Sequence, residues 1–151
     1  MTEAEKIKAV IAELQQKLDA IEAGYWVPEI MDRYYIVLAC GSVDNFVWGD
    51  DEIDKQLLSM GNVYRTYEEA EHAVKVRKAY VKFSRMQGVK KFEAGKENWV
   101  AMFSADIKSW YATNKIWSFS TLAIHFDSKQ SCLAAIDAMG DEMDLLKGGL
   151  R

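Results

Sequence analysis

Proline occurs once in this chain, cysteine twice and histidine twice, and no apolar run approaches the roughly 20 residues that a membrane-spanning helix requires. Cys40 and Cys132 form no CxxC pair and keep no Cys/His spacing that suits zinc, so the expectation is two buried thiols in a reducing compartment. His72 and His125 have no nucleophile at a recognisable spacing, and structural roles are expected for both. Phosphate-cradling glycine patterns are missing as well. Neither the P-loop nor GxGxxG occurs, and the only paired glycines, Gly148 and Gly149, read as a C-terminal tail. The opening MTEAEKIKAV is charged and lacks a signal-peptide core, which points to the cytoplasm. Without an assembled acid/base or nucleophile set, the chain reads as a binding protein rather than an enzyme, with no metal and no cofactor expected.

What is present is an ordinary globular balance. Of 151 residues, 50% are hydrophobic and 28% charged, enough to bury a sizeable core. The expected class is α+β: an N-terminal coiled-coil-like helix, then a small antiparallel sheet domain with two packed helices. Over residues 2–23, Ile7, Ile11, Leu14, Leu18 and Ile21 recur in steps of four and three, with Ala4 one step earlier. That is a heptad seam of nearly three repeats, too short to be stable alone. It either pairs with a second copy, giving a homo-oligomer, or packs on its own domain. Gly24 and Pro28 end the helix and divide a helical arm, residues 1–24, from an α+β domain, residues 25–151.

In the body, residues 34–40 read as a strand and residues 45–48 as its hairpin partner, turned at residues 41–44. Asp50 to Asp54 opens about one helical turn ending at Gly61-Asn62. Thr66 and Glu69 form a capping-box start for a helix over residues 67–86, with Ala73, Val76, Tyr80 and Phe83 on its core face. Strands are expected at residues 98–103, 108–112 and 117–126, then a helix from Lys129 to Met139 capped by Ser128 and ended by Gly140. Tyr64-Arg65-Thr66 aligns with Phe126-Asp127-Ser128, which sets Ala70 over Cys132, Ala73 over Ala135 and Val74 over Ile136. An internal duplication of a strand-helix unit accounts for this, and so does convergence on one strand-to-helix grammar.

Tyr34, Tyr35, Gly41, Trp48, Asp54, Gly61, Asn62, Tyr64, Thr66, Glu68, Glu69, Ala70 and Glu71, followed by Phe126, Ser128, Ala135, Ile136 and Gly140, carry a pattern across most of residues 25–141. It combines a Tyr-rich hairpin ending in Trp, a Gly-Asn-x-aromatic-x-Thr-x-Glu-Glu-Ala-Glu helix start and a late aromatic-x-Ser helix start. This resembles a group of small phage- and prophage-encoded proteins. The resemblance implies a host-directed inhibitor acting in the bacterial cytoplasm, of the anti-defence or anti-CRISPR type, binding a bacterial host protein such as a defence effector.

Charge is segregated: residues 41–72 carry a net −6 and residues 75–96 a net +7. The long helix therefore begins acidic and ends basic, which suits its macrodipole. Lys78, Lys82, Arg85, Lys90 and Lys91 form a candidate patch for phosphate or a partner, with Phe92 and Trp99 as a stacking surface for a nucleotide or nucleic acid. An overall charge of −4 is unlike a dedicated nucleic-acid binder. Asp50, Asp51, Glu52 and Asp54 lack an EF-hand's ligand spacing and form a candidate acidic partner surface. Of five tryptophans (Trp26, Trp48, Trp99, Trp110 and Trp117), most are expected in the core, while Trp110 and Tyr111 beside a polar turn are candidate partner anchors.

Overall fold

The computed structural model describes residues 2–22, 24–114 and 124–148. The elements run α1 (Glu3–Glu22), β1 (Arg33–Val37), β2 (Val43–Val47), α2 (Glu52–Ser59), α3 (Tyr67–Ser84), β3 (Val89–Lys90), β4 (Val100–Ser104), β5 (Ser109–Thr113), β6 (His125–Phe126) and α4 (Lys129–Met139), closing on a 3-10 turn, Gly140–Leu146. The α+β class follows directly, and the ladders among the described residues are antiparallel. Two compact units divide the chain, Met1–His72 and Ala73–Arg151, and α3 runs through the division. Gly24, at φ 78°, closes α1 by donating to the Ile21 carbonyl at 3.0 Å. The expected arm-to-body boundary at residue 24 thus lies inside the first unit, and residues 25–151 build two separate cores rather than one.

In the first unit, β1 and β2 form a hairpin in the register Tyr34↔Phe46 and Ile36↔Asp44. Alternation puts Tyr34 and Ile36 on one face, where they bury with Trp48 and collect Trp26, Leu57, Leu58 and Val63. Tyr34 meets Trp48 edge-on, ring centroids 5.6 Å apart. The strand stops at Val37, short of the expected residue 40, because Leu38 already closes the turn onto the Ser42 carbonyl at 2.8 Å. On the other side of β1, Tyr35 and Tyr64 exchange two main-chain hydrogen bonds of 2.9 Å. Two residues earlier the Asn62 side chain takes a strand's place, accepting from Val37 N–H at 2.9 Å and donating to its carbonyl at 3.0 Å. Helix α2 spans eight residues, longer than the single turn expected, since a full capping box between Asp51 and Asp54 stabilises its start.

In the second unit, β6 pairs with β3, and Phe126 bridges to Trp99 at the head of β4 through main-chain bonds of 2.8 and 3.2 Å. Beside this ladder lies the core: Ala79 and Phe83 of α3, Ala101, Ile124, Phe126, and Cys132, Ala135 and Met139 of α4. Val76 and Tyr80 pack against it, as their helical spacing predicts. The 3-10 turn adds Met143 and Leu146, both buried, so the chain past Gly140 completes the core. Neither this turn nor β3 was foreseen. The end of the strand expected over residues 117–126 is observed as β6, and residues 117–123, Trp117 among them, lie outside the described residues.

Each unit repeats one grammar. A hairpin's first strand, or the residue leading into it, is bridged antiparallel by an aromatic residue, which enters a capped helix two residues later. Glu69 N–H donates to Thr66 Oγ1 at 3.1 Å, and Ser131 N–H donates to Ser128 Oγ at 3.1 Å. Ala70 and Cys132, aligned from sequence, are both fully buried.

Candidate interaction surfaces

Among the described residues, α1 carries six exposed large apolar side chains. Ile7, Ile11, Leu14, Leu18 and Ile21 are 47–62% exposed, and Val10 beside them 54%. Within the first unit, the seam is therefore left exposed. The helix is long because its sequence is favourable throughout: Thr2 and Glu5 cap each other's amides at 2.6 and 3.3 Å, and no glycine or proline interrupts residues 3–22.

The four acidic residues do not present one face. Asp54 is only 5% exposed, and its carboxylate takes the Tyr34 hydroxyl at 2.6 Å, Gly49 N–H at 2.7 Å and Asp51 N–H at 3.4 Å. Burial opposes its ionisation, but these hydrogen bonds together hold the carboxyl below the usual aspartate range. The same burial, with the carboxylate alongside, pushes the Tyr34 phenol well above its ordinary value. Asp50 is half-buried at φ 60° and lies 3.7 Å from Lys55 Nζ. Asp51 and Glu52 remain outward, at the N-terminus of α2 where its dipole favours negative charge. The cluster is chiefly a device that caps α2 and locks it to β1.

The basic residues are partly neutralised at home. Lys82 bridges to Glu142. Lys90 lies 3.7 Å from Glu93, which also pairs with Lys96 at 2.5 Å; the two lysines depress the Glu93 carboxyl and Glu93 raises the Lys96 ammonium. Lys78, Arg85 and Lys91 are exposed and have no acidic partner among the described residues. The proposed stacking pair divides: Phe92 is exposed against the His125 ring at 5.3 Å, whereas Trp99 packs on the core. His72 is exposed on α3.

Trp110 and Tyr111 are neighbours on β5 and so point to opposite faces. Trp110 packs on the core, edge-on to Phe103 at 5.6 Å, and its buried indole N–H has no partner among the described residues. Tyr111 faces outward beside Met102, its cross-strand neighbour. Only Tyr111 keeps the geometry of an anchor. Cys40 corrects the expectation of two buried thiols: it is exposed in the hairpin turn, its Sγ 3.0 Å from Ser42 Oγ, and that hydrogen bond lowers the thiol's pKa. Cys132 is buried, which pushes its thiol up to about 11. The sequence reading also missed Ile30 and Met31, among the most exposed large apolar residues, which follow the buried Pro28.

Among the described residues no helix is long and apolar enough to cross a membrane, and no three His, Cys, Asp or Glu side chains gather as a metal would require. Comparison with protein-family models, with curated proteins and with solved structures finds no match to this chain.

Proposed function

We propose that this chain acts by binding: a self-associating, non-catalytic protein that inhibits or modulates a bacterial host factor through protein–protein contact in the host cytoplasm. One observation carries the reading. Over almost three heptads α1 holds an apolar stripe that the rest of its own unit leaves exposed. Covering such side chains is worth roughly 1.5–3 kcal/mol for each one taken from full exposure to full burial. A surface of that kind favours a polypeptide partner. The resemblance to small phage proteins supports the direction of action, toward a host factor of the anti-defence or anti-CRISPR kind. A phosphate or nucleotide ligand is the second reading, and Lys78, Arg85 and Lys91 are what favour it.

Capture of the intact chain from a bacterial lysate, followed by mass spectrometry, tests the first reading against the second. A stoichiometric protein partner supports it. Recovery of no protein, with a nucleotide released into the supernatant when the purified protein is heated, overturns it in favour of the second.

A further inference from the structure

The steps of the α1 seam assign heptad positions: Ala4, Ile11 and Leu18 at a, and Ile7, Leu14 and Ile21 at d. The flanking positions are then fixed. Glu3, Val10 and Lys17 stand at g, and Lys8, Gln15 and Glu22 at e. In a parallel two-stranded coil in register, each g residue faces the e residue five positions on in the other helix. Glu3 then meets Lys8 of a second copy, and Lys17 meets Glu22. Twofold symmetry repeats both contacts, and no like charges face each other. Reversing one helix so that Ala4 lies opposite Ile21 removes these matches, because Val10 then faces Lys17 and Lys8 faces Gln15.

The single chain leaves half of each match unspent. Glu3 lies 3.9 Å from Lys6 and Lys17 lies 3.2 Å from Glu13, whereas Lys8 and Glu22 have no ion-pair partner among the described residues. Val10, exposed at g, widens the apolar stripe where no charge pair would form. Resting on the self-association read above, we propose that α1 docks on α1 of a second copy of this chain as a parallel, in-register, two-stranded coiled coil held in register by Glu3–Lys8 and Lys17–Glu22 pairs.

The test uses the full chain with Cys40→Ser, which leaves only the buried Cys132, and adds Ala4→Cys. In the proposed coil the two residues at position 4 face each other within the 4.4–6.8 Å Cα separation that a disulfide spans. In the reversed arrangement residue 4 lies opposite residue 21, roughly 25 Å along the helix at 1.5 Å per residue. Sedimentation should give a dimer, and mild oxidation of Ala4→Cys should convert it to a covalent dimer on a non-reducing gel. Lys8→Glu should weaken the dimer about tenfold by turning two attractions into repulsions, and Glu3→Lys in the same chain should restore it. A dimer in which Ala4→Cys does not cross-link overturns the parallel register but leaves self-association standing. A monomer overturns both; lysate capture then decides separately whether the chain binds another protein.

Discussion

The Tyr34 hydroxyl donates to Asp54 Oδ1 at 2.6 Å, joining a buried position of β1 to the first turn of α2 twenty residues later. The other carboxylate oxygen holds the Gly49 and Asp51 amides, so one side chain closes the loop between β2 and α2 and caps the helix. Both partners are almost wholly buried, and that makes the bond costly to leave half-made.

Tyr34→Phe should therefore lower stability by about 1.5–3 kcal/mol, the range for a hydrogen bond to a charged acceptor, read as the urea midpoint followed by tryptophan fluorescence. Acid should have a related effect. The folded-state pKa of Asp54 is depressed, so its contribution is fully present above the unfolded aspartate pKa of about 3.9 and is lost as pH falls through the folded value. Asp54→Asn should be less stable at neutral pH and should lose less on acidification below about pH 4 than the parent chain. A parallel decline of both proteins would remove Asp54 from the account.

Gly88 sits at φ 88°, with a side-chain carbon at that point only 2.5 Å from Ser131 Cβ and 2.9 Å from Asp127 Oδ1. The chain passes this close because Gly88 accepts the Asp127 N–H at 2.9 Å, just where β6 hands over to α4. Gly88→Ala combines a left-handed backbone with overpacking, and the expected loss is about 3 kcal/mol. Gly61→Ala is the control: its φ of 66° carries the backbone strain alone, since nothing lies within 4 Å of an added carbon. Thermal unfolding should rank Gly88→Ala well below Gly61→Ala, and equal midpoints would refute the crowding.

The two thiols should separate by accessibility and by proton affinity. Iodoacetamide at neutral pH is expected to alkylate Cys40, exposed and held low by Ser42, and to leave Cys132 untouched until the second unit unfolds. Ser42→Ala should move the pH profile of Cys40 alkylation upward, toward an ordinary thiol. Mass spectrometry of the labelled peptides reads both results. Protection of Cys40 in the native chain would contradict its placement in the hairpin turn.

Much of the frame is written locally. The hairpin at Tyr34 to Trp48, the Thr66 and Ser128 caps and the apolar face of Val76, Tyr80 and Phe83 follow from spacing and capping chemistry that act over a few residues. Asp54 stands among acids that read as a surface, because its burial depends on Tyr34, which no local rule connects to it. Trp110 and Tyr111 were grouped by adjacency, although neighbours on a strand face opposite ways once the strand's bounds are known. Met143 and Leu146 carry no local signal, because a 3-10 turn lacks the 3.6-residue period and is recognised only by the core it closes. The α1 stripe was legible in full. Whether anything covers it is not written there, since a heptad pattern is the same whether its partner is intramolecular or a second chain.

Two asparagines perform the same task, one in each unit. Asn62 pairs both main-chain groups of Val37, and Asn98 pairs both main-chain groups of Glu93, at 3.0 Å from its N–H and 2.8 Å to its carbonyl, while also donating to the Lys96 carbonyl at 2.8 Å. Only a carboxamide supplies an acceptor and two donors on one short planar group. Asn98, 5% exposed, has little access to water as a substitute. Asn98→Asp keeps the acceptor for Glu93 N–H but sets a negative oxygen against two carbonyls, so it should cost more than Asn98→Ala, at about 3 kcal/mol or above near neutral pH. The folded-state pKa of the introduced carboxyl would be raised by those carbonyls, which makes its penalty fade as pH falls through that value and a donor proton returns. Unfolding midpoints of Asn98→Asp should therefore rise relative to Asn98→Ala on mild acidification, and a gap between the two variants that stays constant with pH would show that the Asn98 donors contribute nothing.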